Sequence, residues 1–417
     1  MEALRAELAA FRPAVVGLSL RNADNAAYPC TRTYTGWYER LAREVAAHAP
    51  GARLVAGGPG FSIFPTELLR LLAADAGVIG DGEVAAVVLS GRAGTAGDAG
   101  LPSGVSELPL ADLAGVRLPA DLRGVFPGAG AYATVGVQTA RGCPNHCIYC
   151  TYPRLEGARL RRRPPEAVVD EVECLQRELG ARELFIVDSS FNADEEHAAA
   201  VCEALIRRRV LGSPLRDLSF SCYLQPRTRD RGFFGLLAAA GCTSVDFGTD
   251  SAAAALLPGL GKSFSVDELR AATQGAQRAG LDVCHSLLFG GPGETPGTVA
   301  ETIRVMDELA PTAVVAMVGL RVYPGTVLAG LARDAGLIDE RDSLLTPLFY
   351  AAGVAAGDPR AGWLFEQVRA AAAGRRNWFL PGARDWSAAW GPRLLRRLGK
   401  SGPLWRNFPR PRWYRYV

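Results

Sequence analysis

Cys143, Cys147 and Cys150 stand in Arg-Gly-Cys-Pro-Asn-His-Cys-Ile-Tyr-Cys, a Cys-x3-Cys-x2-Cys run that offers three thiolates from one short loop. Iron–sulfur clusters are held by cysteine thiolates, four for a closed [4Fe–4S] centre. A loop with three leaves one iron free to bind a small molecule and pass an electron into it. A zinc site normally closes with four ligands, and no second Cys-x2-Cys or His-x3-His follows. His146, next to Cys147, is badly placed to join the same tetrahedron. A disulfide framework fits poorly with nine cysteines, an odd number. The N-terminus, Met-Glu-Ala-Leu-Arg-Ala-Glu, reads as a helix rather than a signal peptide, so the expected location is cytoplasmic. Cys174, Cys202, Cys222, Cys242 and Cys284 sit mostly in apolar helix or strand patterns as small core residues. Cys30, in a loop-like Tyr-Pro-Cys-Thr-Arg stretch, stands apart.

The elements that must position such a loop follow from periodicity. Candidate strands are Tyr132–Gln138, Leu184–Asp188, Leu218–Leu224, Ser244–Phe247, Asp282–Leu287 and Val314–Leu320. Amphipathic segments at Pro165–Leu179, Glu195–Arg209, Val266–Ala279 and Thr298–Leu309 lie between them. Parallel strands need helical crossovers, and right-handed ones curl the sheet toward a barrel. The ligand site of such a barrel lies at the C-terminal strand ends, where the cysteine loop follows the first strand. Other strand ends carry Asp188-Ser189-Ser190, Gly248-Thr249-Asp250-Ser251 and Gly290-Gly291-Pro292-Gly293-Glu294-Thr295. Any one of these could be a helix cap; together, on the cysteine side, they point to a ligand edge. The glycine-rich turn lacks the Lys-Ser/Thr of a phosphate loop, which argues against nucleotide hydrolysis.

That order of segments resembles the core of the radical SAM enzymes over roughly half of the chain. The resemblance implies a partial (β/α)6 TIM-like barrel, a [4Fe–4S] cluster on Cys143, Cys147 and Cys150, and S-adenosylmethionine on the open iron. It places Asp188, Ser189 and Ser190 at the methionyl amino group, and Asp250 and Ser251 near the ribose or carboxylate. Gly290, Gly291 and Gly293 fall near the adenosine, and the Tyr149 backbone falls at the adenine.

Residues 13–90 read as a second α/β unit. Pro13–Leu20, Arg53–Ala56 and Gly77–Ile79 are strands separated by helices, with loops Ser19–Asn25, Gly57–Phe64 and Gly80-Asp81-Gly82-Glu83 at their ends. This resembles the later part of the Rossmann-like cobalamin (B12)-binding domain that precedes the core in cobalamin-dependent radical SAM enzymes. Ser19, Gly57 and Gly58 match its cofactor-facing loops. A strand–helix–strand unit is missing at the start, and no Asp-x-His-x-x-Gly element is present. The half-domain therefore retains cobalamin with one face exposed, has become structural, or belongs to a sequence whose start is mis-assigned.

The expected organisation is a truncated cobalamin-binding-like domain over 1–100, a linker over 101–130, the core barrel over 131–335 and a mostly helical C-terminal extension over 336–417. A net charge of +3 implies no nucleic-acid partner, and no run approaches a membrane-spanning length. From Arg375 onward arginines interleave with Trp378, Trp386, Trp390, Trp405 and Trp413. That tail either packs on the catalytic domain or meets a membrane surface or an acidic substrate.

The resemblance implies reductive cleavage of S-adenosylmethionine to a 5′-deoxyadenosyl radical, with an electron donor such as flavodoxin or ferredoxin. With cobalamin, the product is a carbon-methylated natural-product, lipid-like or peptide substrate. Without it, the chemistry is hydrogen abstraction leading to oxidation, cyclisation or rearrangement. A non-catalytic Fe–S or metal-binding scaffold is the reading from another class. Tyr223, His285, Arg321 and Tyr323 are the candidate catalytic residues, with Gln138, Tyr152 and Glu156 as further substrate contacts. His285 is either a hydrogen-bonded core histidine or a proton-transfer group.

Overall fold

The computed structural model describes residues 1–89, 103–116, 118, 121–125, 134–210, 214–228, 230, 232–381 and 403–407. Two parallel sheets organise it. The first has the order β1 (Val15–Ser19), β2 (Arg53–Gly57), β3 (Ala76–Ile79) and β4 (Gly104–Glu107), with every neighbouring pair parallel. β4 falls in the stretch expected as linker. Its Gly-Val-Ser-Glu sequence is too short and polar to stand out, yet it pairs with all of β3.

Period-two alternation gives this sheet two unlike faces. Leu54, Ala56 and Leu20 join Phe61, Phe64, Leu68 and Leu72 in one core, with Ala42 and Val45 of the helix Thr35–His48. Gly77 is required there, because a Cβ would overlap the Phe61 ring. On the opposite face, Val55, Ala76 and Val78 meet Ala85 of the helix Gly82–Leu89. That helix does not reach the edge strand, so Val15, Gly17 and Ser19 remain exposed. Parallel sheets are normally covered on both faces, and here the described residues leave the β1 end of one face uncovered.

The second sheet is built from β5 (Val135–Val137), β8 (Glu183–Ile186), β9 (Ser219–Leu224), β10 (Cys242–Asp250), β11 (Asp282–Phe289) and β12 (Ala313–Val318), adjacent in that order and parallel throughout. A ribbon of β6 (Ala140–Arg141) and β7 (Arg161–Arg162) closes the base of the cysteine loop. β13 (Leu320–Arg321), β14 (Phe349–Ala351) and β15 (Val354–Ala355) form an antiparallel group beyond β12. β16 (Trp378–Phe379) then adds a seventh parallel strand beside β12, with Trp378 only 1% exposed.

The helix Pro165–Leu179 has its expected bounds, framed by prolines at the start and by Gly180 in the left-handed region at the end. Residues 336–417, where described, include the helix Gly362–Ala373 and a turn at Leu404–Asn407. Trp405 of that turn packs with Cys284, Ala313 and Phe379, and Arg406 pairs with Asp282 at 2.6 Å. The described tryptophans of the tail thus pack on the barrel, while Trp386, Trp390 and Trp413 lie outside the described residues. Among the described residues no helix is long and apolar enough to cross a membrane.

Candidate functional site

The cysteine loop is gripped by three separate segments. The Cys143 N–H donates to the Gly157 carbonyl at 3.0 Å, the Ile148 N–H to Leu260 at 3.3 Å, and the Leu328 N–H to Ile148 at 2.9 Å. Gly142, at φ 107°, and Gly261, at φ 71°, lie where a Cβ would overlap the carbonyls of Arg159 and His146. Burial pushes the Cys147 thiol up against the pull of Lys262, and pushes Cys150 up to about 12. Binding iron must therefore release protons. Among the described residues no three His, Cys, Asp or Glu side chains converge on a single ion site.

Beside the loop lies a buried pair that the sequence reading missed. Lys262 Nζ stands 2.6 Å from Asp250 Oδ2 and 3.1 Å from the Gly248 carbonyl, and the Tyr149 hydroxyl donates to the same Asp250 oxygen at 2.5 Å. Asp250 is held in the left-handed region at φ 59°. Lys262 is one of only two lysines among the 46 Lys and Arg residues, which was the available signal. The Asp250 carboxylate expected at the ribose or carboxylate is engaged by this pair.

The remaining ligand-edge residues divide in their roles. Asp188 accepts from the Thr139 N–H at 2.7 Å, its hydroxyl at 2.5 Å and the Ala140 N–H at 3.1 Å; burial pushes its carboxyl up to about 6. Ser189 donates to the Gly142 carbonyl at 2.8 Å, and Ser190 to Asn192 at 2.9 Å. These side chains fasten strand ends and the cluster loop to each other. Gly290, at φ 106°, donates to Glu294 at 3.1 Å and packs against Ala351, while Gly291 packs against Leu260 and Gly293 is exposed at φ 81°.

Three expectations are corrected. Ser251 turns away from the ligand edge, bonding Thr302 at 3.1 Å and the Ala253 N–H. His285 is fully buried on the helix side of β11, between Thr249 at 2.7 Å and Thr273 at 3.2 Å, and burial lowers its pKa to about 3. It is a neutral core histidine with no path to a substrate proton. Arg321 is buried in a clamp with Asp24 at 3.0 Å and the Leu344 carbonyl at 2.7 Å, stacked on Tyr323. Its guanidinium, whose Nη1 also donates to the Val322 carbonyl at 2.5 Å, joins half-domain to barrel.

A second clamp lies on the other side of the cluster loop. Arg141 pairs with Asp81 at 2.8 Å and Glu83 at 2.9 Å, and Arg161 pairs with Asp81 at 2.6 Å. Burial alone would raise the Asp81 carboxyl, but Arg161, the Ala111 amide and Arg141 together hold it below its ordinary value.

Between the two clamps runs one cavity of about 700 Å³. Its half-domain wall includes Gly17, Ser19, Gly57 and Gly58, and its barrel wall includes Gln138, Thr151, Tyr152, Glu156 and Tyr323. Gly17 has open space where a Cβ would stand, so at Gly17, Gly57 and Gly58 no side chain projects from the wall. Such a surface fits the face of a large planar macrocycle. None of the four histidines lines the cavity, so no imidazole is placed to ligate its metal. Tyr223 is 44% exposed in the barrel lumen, edge-on to Phe185 at 4.8 Å.

Comparison with known proteins agrees with this arrangement. The family model for the radical SAM superfamily matches residues 137–306, and that for the B12 binding domain matches residues 1–90. The tryptophan 2-C-methyltransferase of Streptomyces laurentii is 28% identical over 83% of this chain and 68% of its own length. The solved structure of the radical S-adenosylmethionine methyltransferase TsrM from Kitasatospora setae, with tryptophan substrate and a SAM analogue bound, is 24% identical. It superposes with a TM-score of 0.83 over 97% of this chain and 89% of that one. The same methyltransferase with cobalamin and a [4Fe–4S] cluster bound gives 0.81 at 24% identity, over 96% and 87%. The cofactors are accordingly a [4Fe–4S] cluster, S-adenosylmethionine and cobalamin. The chain belongs to the radical SAM superfamily and carries a B12-binding domain ahead of its radical SAM domain.

Proposed function

We propose that this enzyme is a cobalamin-dependent methyltransferase that places a methyl group on a carbon of a small aromatic substrate. The observation that carries the proposal is the shared cavity, with the glycines of the half-domain wall facing residues that follow the third cysteine. When bound, cobalamin supplies the methyl group, and the cluster with S-adenosylmethionine supplies electron transfer and the methyl source. Cys143, Cys147 and Cys150 hold the cluster. Gly17, Gly57 and Gly58 leave room for the corrin face, and the Arg141 and Arg321 clamps fix its distance from the barrel. Tyr152 and Tyr323 flank the passage between the two and narrow the access of water to it.

The tryptophan-methylating relative supports an aromatic substrate, and the exposed Tyr223–Phe185 pair supplies a matching wall. Pro144 and His146 are exposed on the outer side of the cluster loop, a surface for a donor such as flavodoxin or ferredoxin. The test is anaerobic turnover of the reconstituted enzyme with S-adenosylmethionine bearing a deuterated methyl group. Transfer of the intact labelled methyl to a carbon of an indole substrate is expected. 5′-Deoxyadenosine formation with no labelled product from an indole panel would sink the proposal.

A further inference from the structure

The barrel lumen is open above and closed below, and strand alternation shows where the change falls. Phe220 and Cys222 on β9, Val245 and Phe247 on β10, and Val283 on β11 enter the helix-side core. Ser221, Tyr223, Ser244, Asp246, Cys284 and Ser286 on the same strands therefore face inward. Tyr223, Asp246 and Ser286 are exposed or half-buried, as are Phe185 on β8 and Val315 and Met317 on β12. Deeper in, Ser221, Ser244, Cys284 and Ala313 are at most 2% exposed. The C-terminal turn forms the floor. Trp405 packs with Cys284, Ala313, Val315 and Phe379, and Arg406 ties the turn to Asp282 at 2.6 Å and Thr243 at 3.1 Å.

Asp246 lies low in this chamber, with Tyr223 and Cys284 as its register partners. Ser286 donates to Asp246 Oδ1 at 2.8 Å, and no cation pairs with Asp246 among the described residues. Burial pushes this carboxyl up to about 7, against the pull of Ser286 and Cys284. Much of the remaining wall is aromatic or apolar: Tyr223 meets Phe185 edge-on at 4.8 Å, and Leu288, Val315 and Met317 come from β11 and β12. The five strands β8 to β12 carry no Lys or Arg. Two residues before Asp246 and Tyr223, the register pair Ser244 and Ser221 hold buried hydroxyl oxygens with no hydrogen-bond partner among the described residues. An uncompensated carboxylate and unsatisfied hydroxyls are costly in such surroundings. A ligand that brings positive charge and several donors removes that cost.

We propose that this chamber binds an aromatic amine with no carboxylate beside its nitrogen, the ammonium on Asp246 and the ring against Tyr223 and Phe185. An ammonium offers three donors and no acceptor, which suits a carboxylate with free hydroxyls beneath it. An α-carboxylate would sit on the same carbon as the ammonium, next to Asp246, where none of these strands supplies a cation to receive it. The chamber thus selects against the amino acid in favour of the amine. This names a substrate class for the methyltransferase reading and rests on that reading only in taking the lumen as the substrate site.

The test is calorimetric binding to the cluster- and cobalamin-loaded protein without reductant or S-adenosylmethionine, so that turnover is not read. Three probes share one ring: tryptamine, tryptophol, which has a neutral hydroxyl in place of the ammonium, and L-tryptophan, which adds the carboxylate. The wild type is expected to bind tryptamine about tenfold or more tighter than either of the others. Asp246→Asn, with its iron and cobalamin contents measured first, is expected to weaken tryptamine about tenfold or more and leave tryptophol unchanged. The ranking in the wild type decides the assignment even where that variant fails to fold. No binding of tryptamine by the wild type, equal binding of tryptophol, tighter binding of L-tryptophan, or a preference that survives Asp246→Asn overturns it. The expected ranking with no labelled methyl transferred to tryptamine would instead leave the site standing and remove the methyltransferase reading.

Discussion

The two parallel sheets face the same cavity with opposite surfaces. At the barrel edge nearly every polar group is already engaged: Asp188 accepts three hydrogen bonds, Asp250 holds Lys262 and Tyr149, and Glu294 holds Gly290 and Thr298. At the half-domain edge the cavity wall includes Gly17, Ser19, Gly57 and Gly58, and among the described residues the β1 end of that sheet face is uncovered. The first edge is stiff and suits a small ligand read by a few fixed groups. The second suits a broad ligand held by area. The Arg141 and Arg321 clamps anchor the half-domain to the barrel on either side of the cavity.

The comparison breaks most completely at Cys147. Cys147→Ala is expected to abolish cluster assembly, read as iron and sulfide content, while cobalamin binding to the half-domain survives. Loss of both together would show that the two walls do not bind independently. Asp24→Asn attacks an anchor instead, leaving the buried Arg321 guanidinium without its carboxylate. Breaking such a pair costs about 3–5 kcal/mol, so thermal unfolding should begin at a clearly lower temperature; an unchanged midpoint would mean that the clamp is not a support.

Gly17→Leu sharpens the contrast from the other side. Its Cβ meets nothing within 4 Å, so the fold should tolerate it, but the side chain fills the bare wall. Cobalamin affinity is expected to fall about tenfold or more, a loss of about 1.4 kcal/mol, with iron content unchanged. The smallest effect is at Lys262→Met. Removing a positive charge beside Cys147 should lower the midpoint potential of the cluster in a redox titration, because local charge and hydrogen bonds to sulfur set that potential. A potential that does not move would make Lys262 a support for Asp250 alone.

Much of this was legible in advance, because chemistry and periodicity agreed. The cysteine spacing, the six barrel strands and the helix Pro165–Leu179 all announce themselves through residue type and frame. What was missed came from not carrying strand register to its end. On β11, Val283, Leu287 and Phe289 are core residues, so His285 on the same side had to be core too. The same rule on β10 turns Asp246 inward. Arg321 misled for another reason: its partner Asp24 is 297 residues away, and no local pattern announces a pair at that separation. β4 was hidden because four short, half-polar residues become a strand only through the neighbour they extend.

The central claim is that the half-domain holds cobalamin beside the cluster. The direct measurement is cobalamin and iron content after anaerobic reconstitution with hydroxocobalamin and desalting, read from the visible spectrum and metal analysis. The account predicts about one cobalamin and about four irons per chain. A protein that keeps its iron but releases all its cobalamin on desalting would contradict it.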